Sequence, residues 1–140
     1  MSDLVRLVHE PIDLAVLHEA TAEDGAVCLF VGVVRNENRG HPVKGLEYEA
    51  YEDMALPLMV EIAEETRRRY PVSRVRLVHR LGRLEIGDPS VAVAVTSPHR
   101  DEAFAACRFA IDTLKARVPI WKKEHYADGT AWLEERQVDD

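Results

Sequence analysis

The chain has 140 residues, 46% hydrophobic and 31% charged, with a net charge of −7. That size and composition suit one globular domain able to bury a core without staples. The acidic balance argues against general nucleic-acid binding, which rests on a basic surface, and no apolar run approaches the ~18 residues that cross a bilayer.

Leu4–Val8 alternates as a strand, and Asp13 can cap a short helix running to Ala20. Glu23-Asp24-Gly25 reads as a turn, and residues 26–35, AVCLFVGVVR, as a buried strand in which Gly32 marks a bulge or a close backbone approach. Residues 36–45, NENRGHPVKG, are the most loop-like stretch, with Arg39, His41 and Lys44 among glycine, proline and asparagine. Leu46–Ala50 follows as a strand and Asp53–Tyr70 as a helix, with Pro57 tolerated in its first turn. Arg67, Arg68 and Arg69 suit the negative end of its dipole.

Ser73–Arg83 and Val91–Ser97 read as strands joined through the turn Gly87-Asp88-Pro89. Arg100–Val118 is an amphipathic helix whose buried stripe is predicted at Phe104, Cys107, Ile111, Leu114 and Val118. Pro119 ends it. An extended segment, residues 120–126, and a strand at 131–134 complete the pattern, and the net acidic tail, residues 135–140, reads as frayed. No repeat or linker divides the chain, so one domain over 1–140 is expected. Its N-terminus, MSDLVRLVHE, does not read as a signal peptide. Cys28 and Cys107 belong to no CxxC or Cys/His cluster and suit free, buried thiols, which fits a cytoplasmic protein.

Motifs for metal, nucleotide and acyl-serine chemistry are missing: the sequence has no HExxH, P-loop, GxGxxG after a strand, or GxSxG. Its six histidines show no metal-ligand spacing. The notable chemistry is cationic. In SPHRDEAF, residues 97–104, His99 and Arg100 stand where a helix begins, a position that ordinarily prefers acids. An anion site and an ordinary surface pair both fit them. Lys115 falls at the border of the buried helical stripe, where it can snorkel to water or enter a partly desolvated cleft. Lys122 follows beyond the break at Pro119, and Arg35 closes the buried strand with a guanidinium fork suited to phosphate. Together, in an acidic chain, these favour a small ligand bearing phosphate or carboxylate.

Several ordered segments resemble one family, the large catalytic subunit of molybdopterin synthase. They are FVGVVRNENRG (30–40), LEYEAYEDMA (46–55), HRLGRLEIGD (79–88), SPHRDEAF, IDTLKARVPIWKKE (111–124) and ADGTAWLE (127–134). The resemblance covers residues 25–134, leaving 1–24 as a variable N-terminal part. It implies an α+β fold of the hammerhead type, with a mixed sheet and two long helices. It also implies a homodimeric core with a small ubiquitin-like sulfur carrier at each end, forming a heterotetramer. The carrier's Gly-Gly tail, as a thiocarboxylate, would give sulfur to cyclic pyranopterin monophosphate and form the dithiolene of molybdopterin. No metal or other cofactor of the protein's own is implied. Carried over by position, Lys115 and Lys122 match the catalytic lysines. Val33, Val34, Arg35, His99, Arg100, Lys123 and Glu124, with the two lysines, match substrate-binding positions. The family's His-Arg pair reaches the site from the other protomer.

On that footing Pro119 folds Lys122 back toward Lys115, with Trp121 bracing the turn. The other reading of the same residues is a non-enzymatic adaptor that binds a carboxylate-ended peptide tail in a basic groove.

Overall fold

The structure, a computed structural model, describes residues 3–38, 40–127, 129 and 131–134. In chain order the elements are β1 (Leu4–Val8), a 3-10 turn (Leu14–Val16), β2 (Ala26–Val33), β3 (Glu37–Asn38), β4 (His41–Ala50) and α1 (Glu52–Arg69). Then come β5 (Arg74–Arg80), β6 (Gly82–Glu85), β7 (Pro89–Ser97), α2 (Arg100–Arg117), β8 (Ile120–Tyr126) and β9 (Ala131–Glu134). Two long helices on mixed sheets make the α+β, hammerhead-type arrangement that the sequence led one to expect.

The first sheet runs β1-β5-β7-β2, with β1 parallel to β5 and the other pairs antiparallel. The valine- and alanine-rich strands β5 and β7 are buried on both faces, which explains their nearly continuous apolar runs. On one face Leu77, Val93 and Val95 meet Met59 and Ile62 of α1 and Ala106 and Leu114 of α2. On the other, Val78, Ala92 and Ala94 are covered by Leu17 and Ile12 from the N-terminal segment. Burying each large side chain contributes about 1.5–3 kcal/mol.

The second sheet runs β3-β4-β8-β9, with β6 paired along the other side of β4. Gly82, at φ 91°, turns the chain out of β5 in the first sheet into β6 in the second. The predicted strand 73–83 is therefore two strands, because a left-handed glycine interrupts it and Leu81 N–H bonds to Val8 instead.

Four further expectations are corrected. Residues 36–45 are not a loop but a β3–β4 hairpin turning at Gly40 (φ 81°), because β4 is held between β6 and β8. The helix from Asp13 shrinks to one 3-10 turn, capped by Asp13 Oδ1 on Ala15 N–H at 3.1 Å. The Arg76 guanidinium takes the carbonyls of Leu17 and Glu19, pulling the following segment onto the sheet. Pro57 lies inside α1, one turn further in than expected, and leaves one helix carbonyl without its usual N–H donor. Phe104 is 62% exposed. It shares the flank of Ile111 but sits nearer the start of α2, where little of the protomer covers it, and the buried stripe is instead Ala103, Ala106, Cys107, Ala110, Ile111 and Leu114. At Gly32 the expected irregularity is present: the register with β7 shifts there, and a Cβ would lie 2.8 Å from Val91 Cγ1. Residues 135–140 lie outside the described residues.

Candidate functional site

The helix α2 ends where the sequence says it must. Val118 leaves helical geometry at φ −81°, ψ 129°, its N–H still bonded to Leu114 O at 3.0 Å, and Pro119 passes the chain into β8. Strand alternation then sorts β8 by face. Ile120, Lys122 and Glu124 point into the protein, while Lys123 is exposed on the opposite face. The expected substrate-binding set is thus split: Lys122 and Glu124 share an interior, and Lys123 faces away, beside the register position of Glu47. On that outer face His125 Nε2 lies 2.9 Å from Glu47 Oε1.

Lys122 and Glu124 form a buried ion pair, Nζ to Oε1 at 3.5 Å, with side chains only 4% and 3% exposed. Taking two charges out of water costs several kcal/mol per ion, so a pair of this kind needs further hydrogen bonds to be tolerated. One is Tyr126, whose hydroxyl donates to Glu124 Oε2 at 2.8 Å. Across the ladder, Tyr48 stands opposite Lys122, and its ring meets that of buried His79 edge-on at 5.0 Å. His79 Nδ1 is 2.8 Å from Arg80 O, and because a carbonyl only accepts, the ring proton sits on Nδ1. Lys115, in the last turn of α2, also has its Nζ withdrawn from water. Two ammonium groups are thereby held out of solvent on either side of the Pro119 turn.

Trp121 faces away from Lys122 and meets Tyr51 edge-on at 5.2 Å. That contact ties β8 to the residue before α1.

Arg35 is exposed just beyond β2. The backbone of Val34 is occupied, its N–H bonded to Asp88 O at 3.1 Å and its carbonyl accepting from Gly87 at 2.8 Å. Val34 is buried, and Val33 and Arg35 on either side of it turn their side chains to solvent. His99 and Arg100 are exposed at the opposite end of α2, with His99 as N-cap and its N–H on Ser97 Oγ at 3.3 Å. The fifteen-residue rise from Arg100 to Lys115 is roughly 22 Å, so one protomer does not bring these cations together.

Sequence reasoning missed Tyr126, Tyr48 and His79. Period-two alternation from Lys122 and Glu124 reaches Tyr126 directly, and His79 opens the segment HRLGRLEIGD. Burial first, then the neighbouring Cys28 thiol, pushes Cys107 up to about 12, while Cys107 Sγ contacts Val93 O at 3.6 Å. At neutral pH it is a thiol and a poor nucleophile. Among the described residues no cluster of three or more His, Cys, Asp or Glu could hold a metal ion, and no helix is long and apolar enough to cross a membrane.

Comparison with known proteins gives the family. Residues 7–117 match the family described as MoaE protein. A molybdopterin synthase catalytic subunit from a Nostoc species is 50% identical over 138 residues, covering 95% of this chain and 83% of the relative. Among solved structures, molybdopterin synthase from Staphylococcus aureus superimposes with a TM-score of 0.86 at 39% identity, over 91% of this chain and 94% of that one. A complex of subunits 1 and 2 of molybdopterin-converting factor from Helicobacter pylori gives a TM-score of 0.73 at 25% identity, over 89% and 86% of the two chains. With a family match across most of its length and half its residues identical to such a relative, the chain belongs to the MoaE family.

Proposed function

We propose that this chain is the catalytic subunit of a molybdopterin synthase, a cytoplasmic sulfurtransferase. It takes sulfur from the thiocarboxylated C-terminus of a small ubiquitin-like carrier and gives it to cyclic pyranopterin monophosphate, forming the dithiolene of molybdopterin. The observation that carries this reading is the pair of desolvated ammonium groups, Lys115 and Lys122, flanking Pro119. A thiocarboxylate tail and a phosphate-bearing precursor repel one another, and fixed cations in a water-poor site offset that repulsion far better than the same charges would in water. Lys115 stabilises the charge that develops at the thiocarboxylate carbonyl. Lys122, held by Glu124, faces the precursor, and Arg35 takes its phosphate at the end of β2.

The assembly that fits is a homodimer carrying one sulfur carrier at each end, with His99 and Arg100 of one protomer completing the other's site. The two-subunit complex from Helicobacter pylori, on the same fold, supports such a partner. The test mixes the purified chain with a thiocarboxylated carrier and the cyclic precursor and follows molybdopterin. Lys115→Ala and Lys122→Ala are each expected to lower turnover about 10²-fold or more. Turnover within a few-fold of wild type contradicts these roles of the two lysines, and tail binding without any product supports the adaptor reading instead.

A further inference from the structure

The segment HRLGRLEIGD ends in Asp88, beside the strand end that carries Arg35, and the chemistry above gives that carboxylate no task. We infer that Asp88 is a positioning residue for Arg35, acting through the turn that clasps the backbone of Val34; the inference rests on the sulfur-transfer reading and deepens it.

The turn spans residues 85–88. Asp88 N–H bonds to Glu85 O at 3.0 Å, and Gly87 takes φ 88°, a left-handed geometry that costs glycine nothing. The Asp88 side chain locks this turn from outside: Oδ2 accepts from Glu85 N–H at 2.9 Å and pairs with Arg80 Nη1 at 3.4 Å. One oxygen thereby joins the end of β5 to the end of β6. The closed turn offers a donor and an acceptor to the chain leaving β2, and Val34 takes both. Gly87 N–H bonds to Val34 O at 2.8 Å and Val34 N–H to Asp88 O at 3.1 Å.

These bonds fall where the ladder between β2 and β7 falters. Its register shifts between Gly32 and Val33, and Val33 stands opposite Pro89, which has no N–H to give. Regular pairing thus weakens one step before Val34, and the turn takes over. Val34 keeps its side chain in the core while Val33 and Arg35 turn outward. A guanidinium grips phosphate through parallel N–H bonds, so it depends on where its backbone stands as well as on its charge. A purely structural role for the same carboxylate, closing its own turn, separates from this one in two measurements.

Amide hydrogen exchange and steady-state turnover are followed for the wild-type chain, Asp88→Ala, Arg35→Ala and the double variant. The Asp88 side chain is 36% exposed and Glu85 lies at the surface, so removing the carboxylate leaves the fold intact. Exchange reads the clasp without any substrate: the Val34 and Gly87 N–H groups are expected to exchange about tenfold faster in Asp88→Ala. Turnover with thiocarboxylated carrier reads the guanidinium. KM for the cyclic precursor is expected to rise about tenfold in Asp88→Ala, the size of one hydrogen bond to a charged group. Both kcat and the KM for carrier should stay within about twofold. On the Arg35→Ala background the same change is expected to move the precursor KM by less than about twofold. Unchanged exchange at Val34 overturns the inference, as does a precursor KM within about twofold of wild type or an equal rise with and without Arg35. Absence of product from the wild-type chain removes the sulfur-transfer reading and this inference with it, whereas a failed clasp shows in exchange with wild-type turnover intact.

Discussion

At the scale of single residues, charges that stabilise differ from charges proposed to meet a ligand. Asp24 is of the first kind. Burial opposes its charged form, yet Ser73 Oγ at 2.5 Å, Thr21 N–H at 3.0 Å, the Thr21 hydroxyl and Thr96 outweigh it and hold the carboxyl below its ordinary range. A depressed carboxyl adds stability that is full above the ordinary value of about 4 and is lost as the pH falls through the depressed one. Asp24→Asn is therefore expected to cost about 1 kcal/mol at pH 7, allowing for solvent screening. Urea unfolding of both chains from neutral pH downward should show that difference closing in acid, and a constant difference contradicts the assignment. Lys122 is proposed to be of the second kind. Its buried pair with Glu124 is weak evidence for stability, since apolar residues of similar volume often do as well. The residue types of this site were legible in the sequence, through a surplus of local cations in an acidic chain. Their partners were less so, because a carboxylate's second oxygen leaves no mark on spacing.

At the scale of elements, the strands and helices that bury a full face were readable, and those positioned by neighbours were not. α2 and β7 declare themselves by period and by valine content. The β3–β4 hairpin hides behind glycine, proline and asparagine, and its pairing with β6 and β8 decides the outcome. Phe104 shows the limit of a helical wheel, which gives the flank of a residue but not what the rest of the molecule lays against it. The joint between β2 and α2 is tight in a way only coordinates show. Gly25 donates to Ser97 O at 3.0 Å, and a Cβ on it would stand 2.4 Å from Pro98 O, a backbone atom. Gly25→Ala is expected to cost about 1–3 kcal/mol of stability and to shift the turn that carries His99 and Arg100. Thermal unfolding measures the first effect and turnover the second; a neutral substitution contradicts the close approach.

At the scale of the whole molecule the candidate residues come from elements far apart in sequence, and one protomer does not bring all of them together. Lys115 and Lys122 lie on either side of the α2–β8 joint at Pro119, while Arg100 stands roughly 22 Å from Lys115 along α2. That separation follows from helical rise alone and was readable in the sequence. Whose lysines the His-Arg pair serves was not, because spacing within one chain is silent about a partner's. If the pair acts across a two-fold axis, mixing Lys122→Ala protomers with His99→Ala/Arg100→Ala protomers creates one intact site per mixed dimer. Activity should then return to about a quarter of wild type after random exchange. No recovery contradicts action of the pair across the axis.

The most direct measurement follows the sulfur itself. A carrier whose thiocarboxylate holds isotopically heavy sulfur is mixed with this chain and cyclic pyranopterin monophosphate, and the product is weighed by mass spectrometry. The account requires molybdopterin with both dithiolene sulfurs heavy, the carrier returned as a plain carboxylate, and neither in Lys122→Ala at comparable time. Carrier bound but unconsumed, or product carrying light sulfur, contradicts it.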